Sequence, residues 1–422
     1  MKKFIFKSYE FDKSDLTAKF LYGFDDGKEF KEIVKFTSIS DYDSESLERA
    51  MFLAFIILGV SYYKTFPTVN VELTMPIDEW QAKFFDSVYQ EGLGQFAFEN
   101  GLTRDELAHF KATNQKSEIK CSYNGDGILA LQSGGKDSLL TASLLKEKNI
   151  DFTSVYITSG DHHPKILDEI GPDLVLVSRL IDHNNLKNAL EDGAKNGHVP
   201  VTYIVQSLAI IQAILLGKNS ILTSIAHEGE EPHSHIGDLA VTHQWSKTWS
   251  AEESFAEYVL RYISPNIQIG SPLRQYSELR IAELFVKHSW SKYGHKFSSC
   301  NVANYRQGSD NSELKWCGDC PKCANSYLLF AAFLPASELK SIFGGQDLFI
   351  KPSLQHAFKG LLGIDNILKP FECVGEVEEL RLAYQMSQKN DGYGKLPFLV
   401  PFSSFDYIKQ YPSQGWATKM LQ

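Results

Sequence analysis

The rhythm of hydrophobic and polar positions changes along the chain. KKFIFKSY, DLTAKFLYGF and EFKEIVKF alternate apolar and polar residues, which predicts three short strands with a turn at Asp25-Asp26-Gly27. SESLERAMFLAFIILG then reads as an amphipathic helix behind them. Residues 1–115 are therefore expected to form an N-terminal α+β domain, with the polar stretch Thr113 to Asn124 as a linker. From about residue 127 the apolar runs GILALQ, DFTSVYIT, DLVLVS and SILTSI alternate with helical patterns at Ser138–Lys148, Pro164–Ile170 and Val201–Lys218. That order predicts an α/β fold with a doubly wound, mostly parallel sheet over residues 116–335. Ser250-Ala-Glu-Glu253 reads as a capping box, and Pro321 as the first turn of a helix through Phe333. Residues 336–422 form a small C-terminal region of mixed helix and loop signals.

Composition narrows the partners. The 422 residues are 43% hydrophobic, enough for proper cores, and carry 52 acidic against 42 basic side chains. A net charge of -10 gives no field that would draw in nucleic acid or an anionic membrane, so a small-molecule substrate is expected. MKKFIFKSYEFD lacks the basic and apolar regions of a signal peptide, which predicts a cytoplasmic protein. The long apolar segment Val199 to Gly217 is interrupted by Gln206, Ser207 and Gln212 and reads as a buried helix rather than a membrane span.

Candidate chemistry begins at ILALQSGGKDSLLTASLLKEK. A strand that ends in a glycine pair and turns into a helix aims backbone N–H groups and the helix dipole at one point, which suits a phosphate. The loop is neither Gly-x-x-x-x-Gly-Lys-Ser/Thr nor Gly-x-Gly-x-x-Gly. Farther on, Cys300, Cys317, Cys320 and Cys323 have the spacing of a closed four-thiolate shell, for which a structural Zn²⁺ is expected. HEGEEPHSH, residues 227–235, is read as a mobile loop rather than a second metal site, because its spacing suits no single geometry and glycine and proline break it up.

Ser133-Gly-Gly-Lys-Asp-Ser138 resembles the PP-loop of the ATP pyrophosphatases, which cleave ATP between the α- and β-phosphates. The resemblance implies ATP and Mg²⁺, with Ser133, Gly134, Gly135, Lys136 and Ser138 around the phosphates and Asp137 helping to hold the Mg²⁺. Thiolating relatives in that group use cysteines for an iron–sulfur cluster, the alternative to zinc. VSYYKTF, GLGQFAFENGL, NGHVPVT, THQWSK, SPLRQYSELRIAE, FSSCN, WCGDCPKC and FECVGEVEE resemble the ATP-dependent UDP-N-acetylmuramoyl-L-alanyl-L-glutamate epimerase family. That resemblance implies a UDP-linked muramoyl dipeptide whose terminal L-Glu becomes D-Glu through an acyl-adenylate, with AMP and pyrophosphate released. Inversion needs an acid and a base on opposite faces, and the matching motifs offer Cys373, His243, Lys247, His198 and Glu376. Arg274 and Arg280 are candidates for the UDP diphosphate or the glutamate carboxylates. The alternatives are another PP-loop adenylating enzyme, such as a 7-cyano-7-deazaguanine synthase, an amide ligase or a tRNA thiolase, and a nucleotide sensor without turnover. The acidic balance opposes tRNA, and an intact SGGKDS opposes a sensor.

Overall fold

A computed structural model describes every residue except 1, 38, 41, 114–122, 172, 306–311 and 422, so most of the expected linker lies outside the described residues. Strands β1 (Lys3–Asp12), β2 (Thr17–Phe24) and β3 (Glu29–Lys35) form an antiparallel meander. Helix α1 (Ser44–Tyr63), capped by the Asp43 carboxylate on the Ser46 N–H, lies against it. Then come β4 (Asn70–Leu73), α2 (Glu79–Gln90) and α3 (Gly94–Asn100). The second stretch runs β5 (Ile128–Leu131), α4 (Lys136–Glu147), β6 (Thr153–Thr158), β7 (Leu174–Leu180), α5 (His183–Glu191), α6 (Val201–Leu215) and β8 (Ser220–Leu222). A small hairpin of β9 (Ser234–Ile236) and β10 (Leu239–Val241) precedes α7 (Trp249–Tyr258), β11 (Gln268–Gly270) and α8 (Glu278–His288).

All strands except the β9–β10 hairpin join one nine-stranded sheet in the order β11-β8-β5-β6-β7-β3-β2-β1-β4. The five strands from β11 to β7 are mutually parallel. The boundary expected near residue 115 does not separate two sheets, because Ile33–Lys35 of β3 pair antiparallel with Ser178–Leu180 of β7. Likewise one apolar core runs from Leu139 to Leu396, across the boundary expected at 335.

Helix α1 is long and apolar enough to cross a membrane by length and composition, yet 89% of its apolar window is buried, with α6 packed against it. Phe55 sits at its centre among Phe6, Phe20 and Tyr22, so Phe55→Ala would open a cavity costing about 3–5 kcal/mol. Two expectations need correction. Pro164–Ile170 forms only a short 3₁₀ turn at Lys165–Leu167, whose first N–H, that of Lys165, donates to the Ser312 carbonyl at 2.9 Å. Helix α7 is capped by Thr248, whose hydroxyl accepts from the Ala251 N–H, so the cap lies ahead of Ser250 and, with alanine at the third position, is not a reciprocal box.

The chain runs from β5 outward to β6 and β7, then returns to β8 and β11 on the other side. The crevice where strand order reverses, at the carboxyl ends of β5 and β8, is where parallel α/β sheets hold ligands.

Candidate active site

SGGKDS occupies that crevice. Gly134 has φ +76°, and a Cβ there would lie 2.8 Å from Leu314 Cδ1, so the position needs glycine twice over. Gly135 starts α4 with no side-chain cap, which leaves the first-turn N–H groups of a 12-residue helix for an anion. Ser138 Oγ accepts from the Ser133 N–H at 3.2 Å and lies 3.3 Å from Ser133 Oγ, closing the loop on itself. The Lys136 ammonium turns inward, pairing at 2.6 Å with both Asp137 and Glu278 at the start of α8. Burial raises the Glu278 carboxyl, and the nearby Asp137 and Glu228 charges add to that despite Lys136.

The loop after β8 supplies the next layer. Glu228 is buried, accepting from Gln244 Nε2 at 2.5 Å and from Lys247 Nζ at 3.3 Å. Burial would raise its carboxyl, but Lys247, Lys136 and Lys322 together hold it below the ordinary value. Lys247 keeps its charge: burial lowers it, and the Cys373, Glu228, Asp137 and Glu278 charges more than compensate. The Lys247 charge is thus felt by both the SGGKDS loop and the half-buried Cys373, 236 residues apart in sequence (373 − 137).

Burial pushes the Cys373 thiol up, but the Lys247 ammonium, a hydrogen bond from His243 and the Lys322 ammonium outweigh it and bring it to about 6. His243 is oriented by Gln95. Gln95 Nε2 donates to Glu99 at 2.7 Å, so Gln95 Oε1 faces His243 Nδ1 at 2.6 Å, and the ring hydrogen-bonds the Cys373 sulfur. His198 lies beside His243, ring centroids 4.4 Å apart, and burial, His243 and Lys64 lower it to about 3. It is therefore a neutral imidazole.

Other expected residues are placed elsewhere. Arg274 is fully buried, and its guanidinium is spent on Glu252 and on the Ala226 and Lys247 carbonyls, so it braces the loops and is not free to hold a substrate anion. Arg280 points along the surface of α8 to Glu283 and does not join the cluster. Glu376 caps the helix Val377–Ser387 in a reciprocal box with Glu379. HEGEEPHSH is tethered, not free: His227 stacks on Tyr411 at 3.6 Å, Glu231 pairs with Lys369 at 2.6 Å, and His233 bonds the Pro370 carbonyl at 3.1 Å.

The four sulfurs of Cys300, Cys317, Cys320 and Cys323 lie within 4.8 Å of one another, and no other such group occurs among the described residues. Three of the separations are 3.7, 3.7 and 3.5 Å. A tetrahedron with metal–sulfur bonds of about 2.3 Å has edges of roughly 3.8 Å, so the quartet fits a single ion of zinc's size. Backbone N–H groups of Ala303, Asp319 and Cys323 point at the sulfurs, as thiolates require. This knuckle also positions Cys373. Lys322 donates to the Cys373 carbonyl, Asn325 accepts from the Gly375 N–H at 3.0 Å, and Asn301 donates to Glu372 at 2.7 Å.

Sequence reasoning missed Glu228, Glu278, Lys322 and Gln95 as members of this cluster, although each lies inside a stretch it singled out. Their spacing carries no motif, since α3, the segments after β8 and β11 and the helix Pro321–Ala331 meet only in the folded protein.

The structure defines an α/β protein that gathers a glycine-rich strand-to-helix loop, a cationic cluster and a thiol of lowered pKa at one edge of its sheet. Residues 1–271 match the MurL N-terminal domain family model, and residues 296–410 match the MurL C-terminal domain model. The protein named UDP-N-acetyl-alpha-D-muramoyl-L-alanyl-L-glutamate epimerase from Xanthomonas oryzae pv. oryzae is 32% identical over 87% of this chain and 81% of its own. Proteins of the same name from Salinispora tropica and a Micromonospora species are each 30% identical over 99% of this chain, covering 91% and 92% of theirs. The chain belongs to the MurL family of UDP-N-acetyl-alpha-D-muramoyl-L-alanyl-L-glutamate epimerases.

Proposed function

We propose that the chain inverts the terminal L-Glu of UDP-N-acetylmuramoyl-L-Ala-L-Glu to D-Glu in the cytoplasm, with ATP cleaved to AMP and pyrophosphate. The observation that carries this reading is the placement of Cys373, acidified to about 6, in the same charged cluster as the SGGKDS loop. The names of the relatives supply the substrate.

The α-hydrogen beside an ionised carboxylate resists removal, because the carbanion would place a second negative charge next to the first. Attack of a carboxylate oxygen on the α-phosphorus of ATP removes that obstacle: the bond to the β-phosphate breaks, pyrophosphate leaves, and the substrate becomes an acyl-adenylate whose acyl group no longer carries a negative charge. The Gly134 N–H and the uncapped first turn of α4 hold the departing phosphates, on a loop braced by the Ser133 and Gly135 N–H contacts to Ser138 and Ser133. Asp137, its carboxylate a quarter exposed and beside Glu278 through Lys136, has the hard oxygen donor that Mg²⁺ takes; the ion would neutralise phosphate charge there.

Cys373, a thiolate at neutral pH, takes the α-proton, and His243 relays it. The Lys247 ammonium offsets charge that develops on the acyl oxygen. A proton returns to the opposite face, water cleaves the acyl–phosphate bond, and AMP leaves, so the inversion runs one way. The Cys300, Cys317, Cys320 and Cys323 quartet holds a structural Zn²⁺ away from this chemistry.

The test is incubation of the full chain with UDP-N-acetylmuramoyl-L-Ala-L-Glu, ATP and Mg²⁺ in deuterated water. The expected products are the D-Glu epimer with one deuterium at the inverted carbon, AMP and pyrophosphate. ADP with orthophosphate, or AMP without inversion or exchange, would overturn the reading.

A further inference from the structure

A second cluster of charge lies at the same edge of the sheet, outside the machinery described above. A cavity of about 380 Å³ opens between the end of α1, the carboxyl end of β7, α5 and residues 195–199. Lys64, Arg179, Lys187 and Lys195 line it, and no carboxylate does. Arg179 is neutralised by the buried Glu32 at 2.6 Å, and Lys195 acts at longer range on Glu106. Lys64 has neutral partners: it donates to Asn196 Oδ1 at 2.8 Å and to the Gly197 carbonyl at 2.7 Å. Burial and then Arg179 depress its ammonium to about 8, the response of a cation set into protein with no anion beside it. Such a cationic hollow in a chain with ten more acidic than basic side chains needs an explanation (52 − 42 = 10). Ile181, Leu186, Leu190 and Val199 give the same cavity an aliphatic part of its wall.

Position gives the ligand its length. Strand β7 is two places from β5 in the sheet, roughly 10 Å at the usual strand spacing, and both carboxyl ends face the same edge. Segment 195–199 has the cavity on one side and the acid–base cluster on the other: Asn196 and Val199 line the cavity, and His198 between them packs on His243. A ligand with its anionic end among the lysines therefore reaches Cys373 only if a spacer follows the anion.

We infer that this cavity binds a nucleoside diphosphate, the phosphates among Lys64, Lys187 and Lys195 and the nucleoside against the aliphatic wall. Resting on the function proposed above, the ligand is the UDP end of the substrate, and the sugar and dipeptide form the spacer that carries glutamate to Cys373. Specificity for a UDP-linked dipeptide then arises here and not at Arg274 or Arg280, which are engaged elsewhere.

Titration of the full chain with UDP, UMP and uridine, each without ATP, tests this. UDP is expected to bind, UMP about tenfold more weakly, and uridine not measurably, with UDP affinity falling as salt rises. Lys187 is exposed on α5, so Lys187→Gln should fold normally and weaken UDP about tenfold; Lys64→Gln should weaken it further, and ATP affinity should stay unchanged in both. UDP affinity within twofold of wild type in both variants, displacement of UDP by ATP, or no UDP binding at millimolar concentration would overturn the assignment. UDP binding through these lysines without any epimerisation would leave the cavity standing and remove the epimerase reading. Epimerisation with UDP binding indifferent to the lysines would remove the cavity alone.

Discussion

Cys320 and Cys373 sit on segments that touch, yet their sulfurs occupy opposite kinds of surroundings. Cys320 caps the helix Pro321–Ala331 and packs at 3.5–3.7 Å from two further sulfurs, with almost no exposure. Cys373 stands alone, half-buried, among the ammonium groups of Lys247 and Lys322 and the His243 imidazole. A thiolate in a protein needs its charge answered. Four sulfurs this close together suit a metal ion that would answer all four charges at once, in a closed shell with no open position. One thiolate answered by ammonium groups keeps its lone pairs and can move a proton. The neighbours, not the residue type, separate the two roles.

Breaking the quartet should have the largest effect. Cys320→Ser, or stripping the metal with a strong chelator, should unfold the region around Pro321–Ala331, a loss on the order of 10 kcal/mol of metal-coupled folding energy, seen as a lost cooperative transition by circular dichroism. Elemental analysis should find one zinc per chain and little iron. Cys373→Ala should leave that transition in place yet reduce epimerisation about a thousandfold, with AMP formation continuing, since one acid–base group is typically worth 10²–10⁴ in rate.

Gln95→Leu sharpens the comparison without touching either sulfur. It frees the His243 ring from its anchor, so kcat should fall roughly tenfold with KM little changed, and the pH profile should move. In the wild type the thiol is depressed to about 6, so activity should rise with pH through that value and level off above it; a weaker His243 contact shifts the rise to higher pH. Arg280→Ala should do least. Its surface pair with Glu283 is worth under about 1 kcal/mol, and both the melting temperature and KM should stay near wild type.

Strand and helix identities were legible where periodicity was strong, as in GILALQ followed by SGGKDS. What the sequence did not disclose was long-range pairing. Ile33 meets Leu180 across 147 positions, and no local signal marks the two as neighbours, so the joining of the N-terminal meander to the parallel strands in one sheet could not be read (180 − 33 = 147). The same limit applied to the site. Cys373, His243 and Lys247 were visible as residues able to titrate within matching motifs, whereas Glu228 looked like part of a loose polar loop until its burial against Gln244 and Lys247 was seen. Arg274 shows the converse, because an arginine in a family-like motif reads as a ligand for anions until its guanidinium is found fully enclosed.

The most direct test of the central claim is the rate at which each cysteine is alkylated by iodoacetamide in the metal-loaded full chain, followed by mass spectrometry from pH 5 to pH 9. Cys373 should react with a midpoint near 6, while Cys300, Cys317, Cys320 and Cys323 stay protected throughout. A Cys373 midpoint at the ordinary thiol value of about 8.5, or labelling of the four at the same rate as Cys373, would contradict the division between a metal-bound quartet and a base held by cations.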